Sequence, residues 1–502
     1  MKKLIKNTLI LFPVLASLAI SQARGEDLKQ VYQAALKNDQ TLKEAFYQLK
    51  QTAEQTPQAW AALLPTISAN ANAGYAYSYA KGAQQQRFIP AGAFRDWTYG
   101  YGATLSQPIF NFSAFSGLAV AKNNVKSAYA TYSAAEQTLI SSTISAYLAV
   151  LEAQEKLKFA EAEKNALEEN YKQVYERFKV GVSTRTDAYQ ARASYDGSIS
   201  REIAAKNAVD NALEALQVIT NQRYTSLMTL SNAYHFHSPN PTNINAWVTS
   251  TEEHNWSIKA AEYTVAGAKD TIKATWNQHL PTVNLEGNYN QSYLNATNRS
   301  GIINQRSGTA AFNLNVPIYQ GGQISSQVRQ ETAVYGQDVA SMELTKRTQV
   351  ETARTSYLAV VANVSQIAAD RNTIVSDQMA LDSVNEGYKV GTNTMLDVLN
   401  AQQTLYSDLS TYATDRYAYL NNVTMLKEAA GTLSNKDINA LNSYLVPADQ
   451  VTLENIVPHP QTSSSTLKTG SSSNTKTTTP PPPVKATPSK TAPATTTTNN
   501  SK

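Results

Sequence analysis

The chain has 502 residues, with 43 Lys and Arg against 39 Asp and Glu, and no cysteine. Without cysteine it cannot be a disulfide-stapled fold or carry a lipid on an N-terminal thiol, so an exported chain of this length must hold itself by packing. The formal charge of +4 is unevenly placed: removing Lys2, Lys3 and Lys6 leaves +1, removing the five lysines after residue 460 leaves −4, and no basic stripe remains for nucleic acid.

Lys2, Lys3 and Lys6 precede the apolar run Leu9 to Ile20, and Ser21-Gln22-Ala23 has the small-x-small form of a cleavage site. Residues 1–23 therefore read as a secretory signal peptide, since the apolar run is well short of the roughly 20 residues of a membrane-spanning helix. No later stretch matches it, so no transmembrane helix is expected.

Strands follow. Ile67, Ala69, Ala71, Ala73, Tyr75, Tyr77 and Tyr79 alternate with small polar residues over 66–80, and Trp97, Tyr99, Tyr101, Ala103 and Leu105 do so over 96–108. The same pattern returns over 282–294, with Val283, Leu285, Tyr289 and Tyr293, and over 307–318, with Ala310, Phe312, Leu314, Val316 and Ile318. A period of two makes one apolar and one polar face. The polar face is small and nearly uncharged, and Tyr and Trp gather toward the loop-side ends. That is the girdle of a membrane barrel around a polar lumen rather than a half-buried soluble sheet. Four strands cannot close a barrel, and open edges are forbidden in lipid, so the barrel must be shared between chains. Two chains would give eight strands and three would give twelve; eight leave little open lumen.

Between the strand pairs lie helices. From Ser113 to Glu176 there is no proline and one glycine, Gly117; from Gln323 to Asn385 there is again one, Gly336. Some 60 residues of helix make a rod of roughly 90 Å, which needs partner helices along its length. Ile140, Ile144, Tyr147 and Leu151, and Ile367, Ile374, Leu381 and Tyr388, have coiled-coil spacings. Each rod breaks at Lys-Val-Gly, with Gly181 and Gly391, and returns as a second helix. The hairpins are expected over 113–230 and 323–430. The Glu/Lys-rich run from Glu152 to Glu176 reads as a solvated face.

The chain repeats itself. Phe178-Lys179-Val180-Gly181 matches Tyr388-Lys389-Val390-Gly391, Thr184 matches Thr394, Asp187 matches Asp397, and Gln107-Pro108-Ile109-Phe110 matches Val316-Pro317-Ile318-Tyr319, all at an offset of about 210 residues. Two structural repeats are expected, 24–240 and 241–445. Residues 461–502 are Ser, Thr, Pro, Asn and Lys with little to bury, and read as a disordered tail.

The chain resembles the TolC family of outer-membrane efflux proteins. The matching residues are Leu64-Pro65 and Leu280-Pro281 opening strands, Val316-Pro317-Ile318-Tyr319-Gln320-Gly321-Gly322 leaving the last one, and Gly387-Tyr388-Lys389-Val390-Gly391-Thr392 at the turn. Val180-Gly181 through Thr186-Asp187 and Asp397-Val398-Leu399-Asn400-Ala401 continue the match, which runs from about Asp27 to about Leu445. The resemblance implies an α+β membrane protein: a homotrimeric 12-stranded β-barrel, four strands per chain, continuous with a long α-helical barrel crossing the periplasm. It implies the exit channel of a tripartite efflux or type I secretion system, docked to a periplasmic adaptor and an inner-membrane transporter. A stand-alone diffusion porin is the alternative, but it has no use for such rods; a purely adhesive coiled coil has no use for girdled strands.

The residues of interest lie at the helical turns. Thr184 and Asp187, like Thr394 and Asp397, have capping-box spacing, which by itself accounts for both aspartates. The resemblance implies more: these turns form the tunnel entrance, Thr186 and Asp187 take part in links to Tyr388 and Asn393 that close it, and Asp397 and Asn400 line its constriction. Two residues depart from the family pattern, since position 393 is Asn rather than basic and position 400 is Asn rather than acidic. No catalytic, nucleotide or cofactor motif is present. His235-Phe236-His237 is the nearest approach to a metal-ligand pattern, and it lies beside Pro239 and Pro241 without an acidic partner.

Overall fold

The computed structural model describes residues 25–80, 92–296 and 302–447. The expected signal peptide, 1–23, and the expected tail, 461–502, lie outside the described residues.

Three short helices that the sequence pattern did not reveal come first: α1 (Leu28–Asn38), α2 (Gln40–Ala53) and α3 (Gln55–Ala61). Asp27 and Asp39 cap the first two, each accepting a backbone N–H of the opening turn. Strands β1 (Thr66–Ala80) and β2 (Gly92–Phe110) lead into α4 (Phe112–Lys179), and α5 (Arg185–Thr220) returns. After the two-residue β3 (Thr229–Leu230) come α6 (Ile244–His254) and α7 (Trp256–Trp276). Then β4 (Thr282–Ala296), β5 (Ile302–Asn315), α8 (Gln323–Val390) and α9 (Met395–Ala429) follow, with α10 (Asn435–Asn442) and β6 (Leu445–Val446) at the end. β5 stops at Asn315, short of the expected residue 318, because Pro317 has no N–H to continue a ladder. Pro108 is carried inside β2 only at a register irregularity between Pro108 and Phe110.

The main sheet has the order β1-β2-β4-β5, with each neighbouring pair antiparallel. Its register puts Ile67 opposite Leu105, Tyr75 opposite Trp97, Tyr99 opposite Tyr293 and Leu285 opposite Phe312, all on one face. Asn70 opposite Gly102, Thr104 opposite Asn288 and Asn284 opposite Asn313 make the other. Gly100 and Gly102 are required on this polar face. A Cβ there would come within 2.8 Å of the Gln291 carbonyl and 2.9 Å of the Tyr289 carbonyl. The apolar face is uncovered, with Ile67 at 78% and Phe312 at 72% exposure, and among the described residues the outer edges of β1 and β5 have no strand partner.

This apolar face is not wholly apolar. Gln291 stands on it only 2% exposed, accepting from the Tyr101 hydroxyl at 2.6 Å and bonded to the Tyr293 hydroxyl. Tyrosine hydroxyls on both sides thus satisfy the buried amide.

α4 and α8 are each 68 residues long, about 100 Å of continuous helix. Their buried residues fall into apolar clusters stepped along the rods. The largest joins Ile140, Ile144, Tyr147 and Leu151 of α4 to Leu28 and Val31 of α1 and to Leu445 of β6. Tyr147 anchors it by donating its hydroxyl to the Met228 carbonyl at 2.6 Å. Next come Phe159, Ile374, Leu381, Leu405 and Leu409. The third, at the turns, is Leu167, Val174, Ala188, Ala191, Met395, Val398 and Leu399.

The acidic run of α4 is not simply solvated, as its composition suggested. Glu155 and Glu163 are 8% and 5% exposed. Glu163 takes both a 3.0 Å and a 2.7 Å hydrogen bond from Arg201 on α5, and Glu155 takes one at 2.8 Å from Arg416 on α9. Two carboxylates of that run are thus the inner partners of cations from other helices.

Candidate functional site

Two turns end the rods. In the first, Gly181 has φ +77 and the Val182 N–H reaches back to the Arg177 carbonyl at 2.8 Å. In the second, Gly391 has φ +85 and the Thr392 N–H reaches the Gly387 carbonyl at 2.9 Å. Left-handed glycines are what such C-terminal caps demand. The third apolar cluster lies directly behind both turns, so their geometry is fixed by packing as well as by backbone bonds.

Both returning helices begin with reciprocal capping boxes. Thr184 N–H donates to Asp187 Oδ2 at 3.1 Å and Asp187 N–H donates to Thr184 Oγ1 at 3.1 Å; the Ser183 hydroxyl adds a second bond to the carboxylate. Thr394 gives Asp397 Oδ2 its hydroxyl at 2.7 Å and its N–H at 2.8 Å, and Asp397 N–H returns to Thr394 Oγ1 at 3.3 Å. The Thr394 hydroxyl foremost, then its N–H, hold the Asp397 carboxyl below the usual carboxylate range, so Asp397 is an anion at neutral pH. Its side chain and that of Asn400 are exposed, as is Thr186; Asp187 is half-buried.

Tyr388 lies in the last turn of α8 and is half-buried. Within one chain its ring packs in the third cluster, and the Arg177 guanidinium of the first hairpin lies 5.2 Å from the ring centroid. Asn393 lies over Gly387, where a Cβ would meet its Oδ1 at 2.7 Å, so position 387 must stay glycine for Asn393 to fold back. Among the described residues no hydrogen bond of the single chain joins Asp187 to Tyr388 or Asn393.

Arg177 is therefore the residue that sequence reasoning missed. A basic residue in the last turn of α4 is common for a helix C-terminus and gave no sign of Tyr388, which lies more than 200 residues away. His235 and His237 have ring centroids 6.1 Å apart. The Tyr234 and Phe236 rings between and beside them pack on Tyr419, a structural use of the segment.

Comparison with known proteins agrees with this architecture. The family model described as outer membrane efflux protein matches residues 31–222 and 247–432. The outer membrane protein TolC of Salmonella enteritidis is 32% identical over 459 residues, covering 89% of this chain and 91% of that protein. The alkaline protease secretion protein AprF of Pseudomonas aeruginosa is 24% identical over 426 residues, covering 83% and 87%. Among solved structures, the Campylobacter jejuni CmeC outer membrane channel superimposes with a TM-score of 0.70 at 19% identity, covering 89% of this chain and 98% of that one, a likeness of fold. With strand pairs feeding long helical hairpins and both halves matched, the chain belongs to the TolC family of outer membrane efflux proteins.

Proposed function

We propose that three copies of this chain close one 12-stranded barrel in the outer membrane, and that their helical hairpins join below it into a single tunnel. Each chain is built from two copies of one strand-pair-and-hairpin unit, 24–240 and 241–445. The assembly is the exit duct of an efflux or type I secretion system, receiving solutes or proteins from an inner-membrane transporter through a periplasmic adaptor. The observation that carries the reading is the four-stranded sheet. One face is exposed and apolar, the other is small and polar, and both edges lack a strand partner among the described residues. Unpaired edge N–H and C=O groups are untenable in lipid, so β1 of one chain must pair with β5 of the next.

The first expected result is stoichiometric. Purified in detergent, the protein should cross-link to trimers and no further; a stable monomer that keeps its full strand signal overturns the shared barrel. Export that needs a periplasmic adaptor separates the duct from a stand-alone porin.

The same reading makes the two turns the periplasmic entrance. Asp397 and Asn400 line its constriction, and links among Thr186, Asp187, Tyr388 and Asn393 hold it shut between neighbouring copies. Inside each copy, Arg177 fixes the Tyr388 ring. A cation over an aromatic face contributes roughly 0.5–2 kcal/mol. Arg177→Ala should therefore raise single-channel conductance or open probability several-fold. Tyr388→Phe keeps the ring under Arg177 and loses only the hydroxyl. If Phe opens the channel as much as Arg177→Ala does, the hydroxyl link is the closing contact. If Phe leaves it shut, the stacked guanidinium is.

A further inference from the structure

α8 and α9 run antiparallel from the turn at Gly391, and facing residues can be followed along the hairpin in steps of seven. Asn422 Nδ2 donates to Asn363 Oδ1 at 2.8 Å, so these two side chains meet across the seam. Seven residues further along α8 and seven back along α9 stand Asp370 and Asp415; seven more bring Asp377 and Asp408. The apolar members of the α8 seam, Ile367, Ile374 and Leu381, keep the same spacing and are 5%, 1% and 9% exposed. Two carboxyl pairs thus occupy the register that a neutral amide pair occupies one heptad away.

In each pair the α8 member has one oxygen closed to solvent. Asp370 is 9% exposed; its Oδ1 accepts from Gln366 Nε2 at 2.8 Å, while its Oδ2 is sealed from solvent without a hydrogen-bond donor. Asp377 Oδ2 is sealed in the same way. An ionised oxygen in that position would lose its water and gain nothing, whereas a proton held between two facing carboxyls satisfies both.

The charged groups around the seam are engaged elsewhere. On α4, Glu155 binds Arg416 at 2.8 Å, Glu152 binds Lys156 at 2.7 Å, and Glu163 binds Arg201 of α5 at 2.7 Å. Lys164 of α4 and Lys206 of α5 both bind Glu202 of α5, at 2.8 Å and 2.9 Å. Arg371 of α8 is exposed. What acts on each pair is its own partner. Burial foremost, then the hydrogen bond and charge of Asp370, pushes the Asp415 carboxyl up to about 6. Burial, then Asp408, raises Asp377.

We propose that Asp370–Asp415 and Asp377–Asp408 are two proton-binding sites, one shared proton to each pair, whose occupancy sets how tightly α8 and α9 hold together. The proposal concerns two helices of one chain and does not depend on the exit-duct reading. A raised carboxyl in the packed hairpin means that packing takes up protons. At Asp370–Asp415 the stabilisation is complete below the ordinary carboxylate range and is lost as pH rises through about 6; at Asp377–Asp408 it is likewise lost as pH rises above that range. In mild acid the hairpin closes; at neutral and alkaline pH it loosens between Asn363 and the turn.

The test is hydrogen–deuterium exchange of the full-length protein in detergent between pH 5 and pH 8, with rates corrected for intrinsic exchange. In the unaltered protein, protection of the α8 segment around Asp370 to Asp377 and of the α9 segment around Asp408 to Asp415 should fall by about tenfold or more across this range. Protection of α4 and α5 should stay level. The double variant Asp370→Asn/Asp377→Asn replaces each pair by an amide donating to a carboxylate, which has the charge of a pair holding one shared proton but no shared proton to lose, and its protection should be high and flat. The mirror variant Asp408→Asn/Asp415→Asn should give the same flat profile, and it reads the proposal independently if the first fails to fold. A flat profile in the unaltered protein, or an undiminished pH dependence in either variant, overturns the proposal. So does recovery of protection at pH 7.5 on adding magnesium or calcium chloride, seen in the unaltered protein and absent from the variants, because the pairs would then be divalent-cation sites.

Discussion

Replacing Glu155 by alanine should weaken the helical domain by roughly 3–5 kcal/mol, the ordinary cost of leaving one partner of a buried ion pair alone. Arg416 is 3% exposed, and its Nη1 donates to Glu155 Oε1 at 2.8 Å. Its Nε already lacks a hydrogen-bond partner. Without Glu155 the guanidinium keeps the face of the Tyr412 ring, 5.4 Å away. A ring face contributes less than a carboxylate and cannot accept the directed hydrogen bond. The pair joins α4 to α9 where the largest apolar cluster gives way to the second, so loosening it should be felt in both hairpins. The measurement is the midpoint of helix loss on heating, followed by circular dichroism in detergent. The double replacement Glu155→Leu/Arg416→Met is the discriminating partner. Buried pairs replaced by apolar side chains of similar volume are often neutral or better, so the double variant should recover most of the loss. High salt should change the midpoint little, since a pair this buried is poorly screened. An unchanged midpoint in Glu155→Ala would show that the ion pair bears no load.

What the sequence showed plainly was whatever repeats along one element. The rods were legible because some 60 residues pass without proline, and the strands because Ile67 to Tyr79 and Trp97 to Leu105 keep a strict period of two. The capping boxes were legible because Thr184–Asp187 and Thr394–Asp397 have a fixed local spacing, and both form. What stayed hidden joins distant parts of the chain. Arg416 and Glu155 are 261 residues apart, so the acidic run of α4 looked like surface. Arg177 meets Tyr388 only because the two hairpins lie side by side. Gln291 interrupts the apolar face, and only the register places Tyr101 beside it. β3 and β6 have two residues each, too few to show any period. The paired aspartates of α8 and α9 kept the heptad of the core while having the composition of a surface, and composition misleads where position governs.

Asp397→Ala should raise, by roughly tenfold or more, the concentration of a trivalent cation needed to block the channel from the periplasmic side, and should lower its preference for cations. In each chain Asp397 is exposed at the first turn of α9, and Thr394 keeps it ionised by two hydrogen bonds, at 2.7 Å and 2.8 Å. Three copies would present three fixed negative charges at one depth. Asn400, one turn further along α9, is neutral and adds no second ring. Like charges confined in a narrow passage concentrate multivalent cations, and that affinity disappears with the charges rather than with the helix. The capping box makes a different demand on the same residue: losing it frees the Thr394 N–H and hydroxyl and frays the start of α9, with no reason for block to change. Asp397→Asn separates the two. Its amide oxygen can still accept from Thr394, so the start of α9 should persist while block is lost as fully as in Asp397→Ala. Planar-bilayer recordings with a trivalent cation added to each side in turn read the block, and hydrogen exchange over Thr394 to Asn400 reads the cap. Block that survives in both variants would leave Asp397 as a helix cap alone and move the constriction elsewhere in the tunnel.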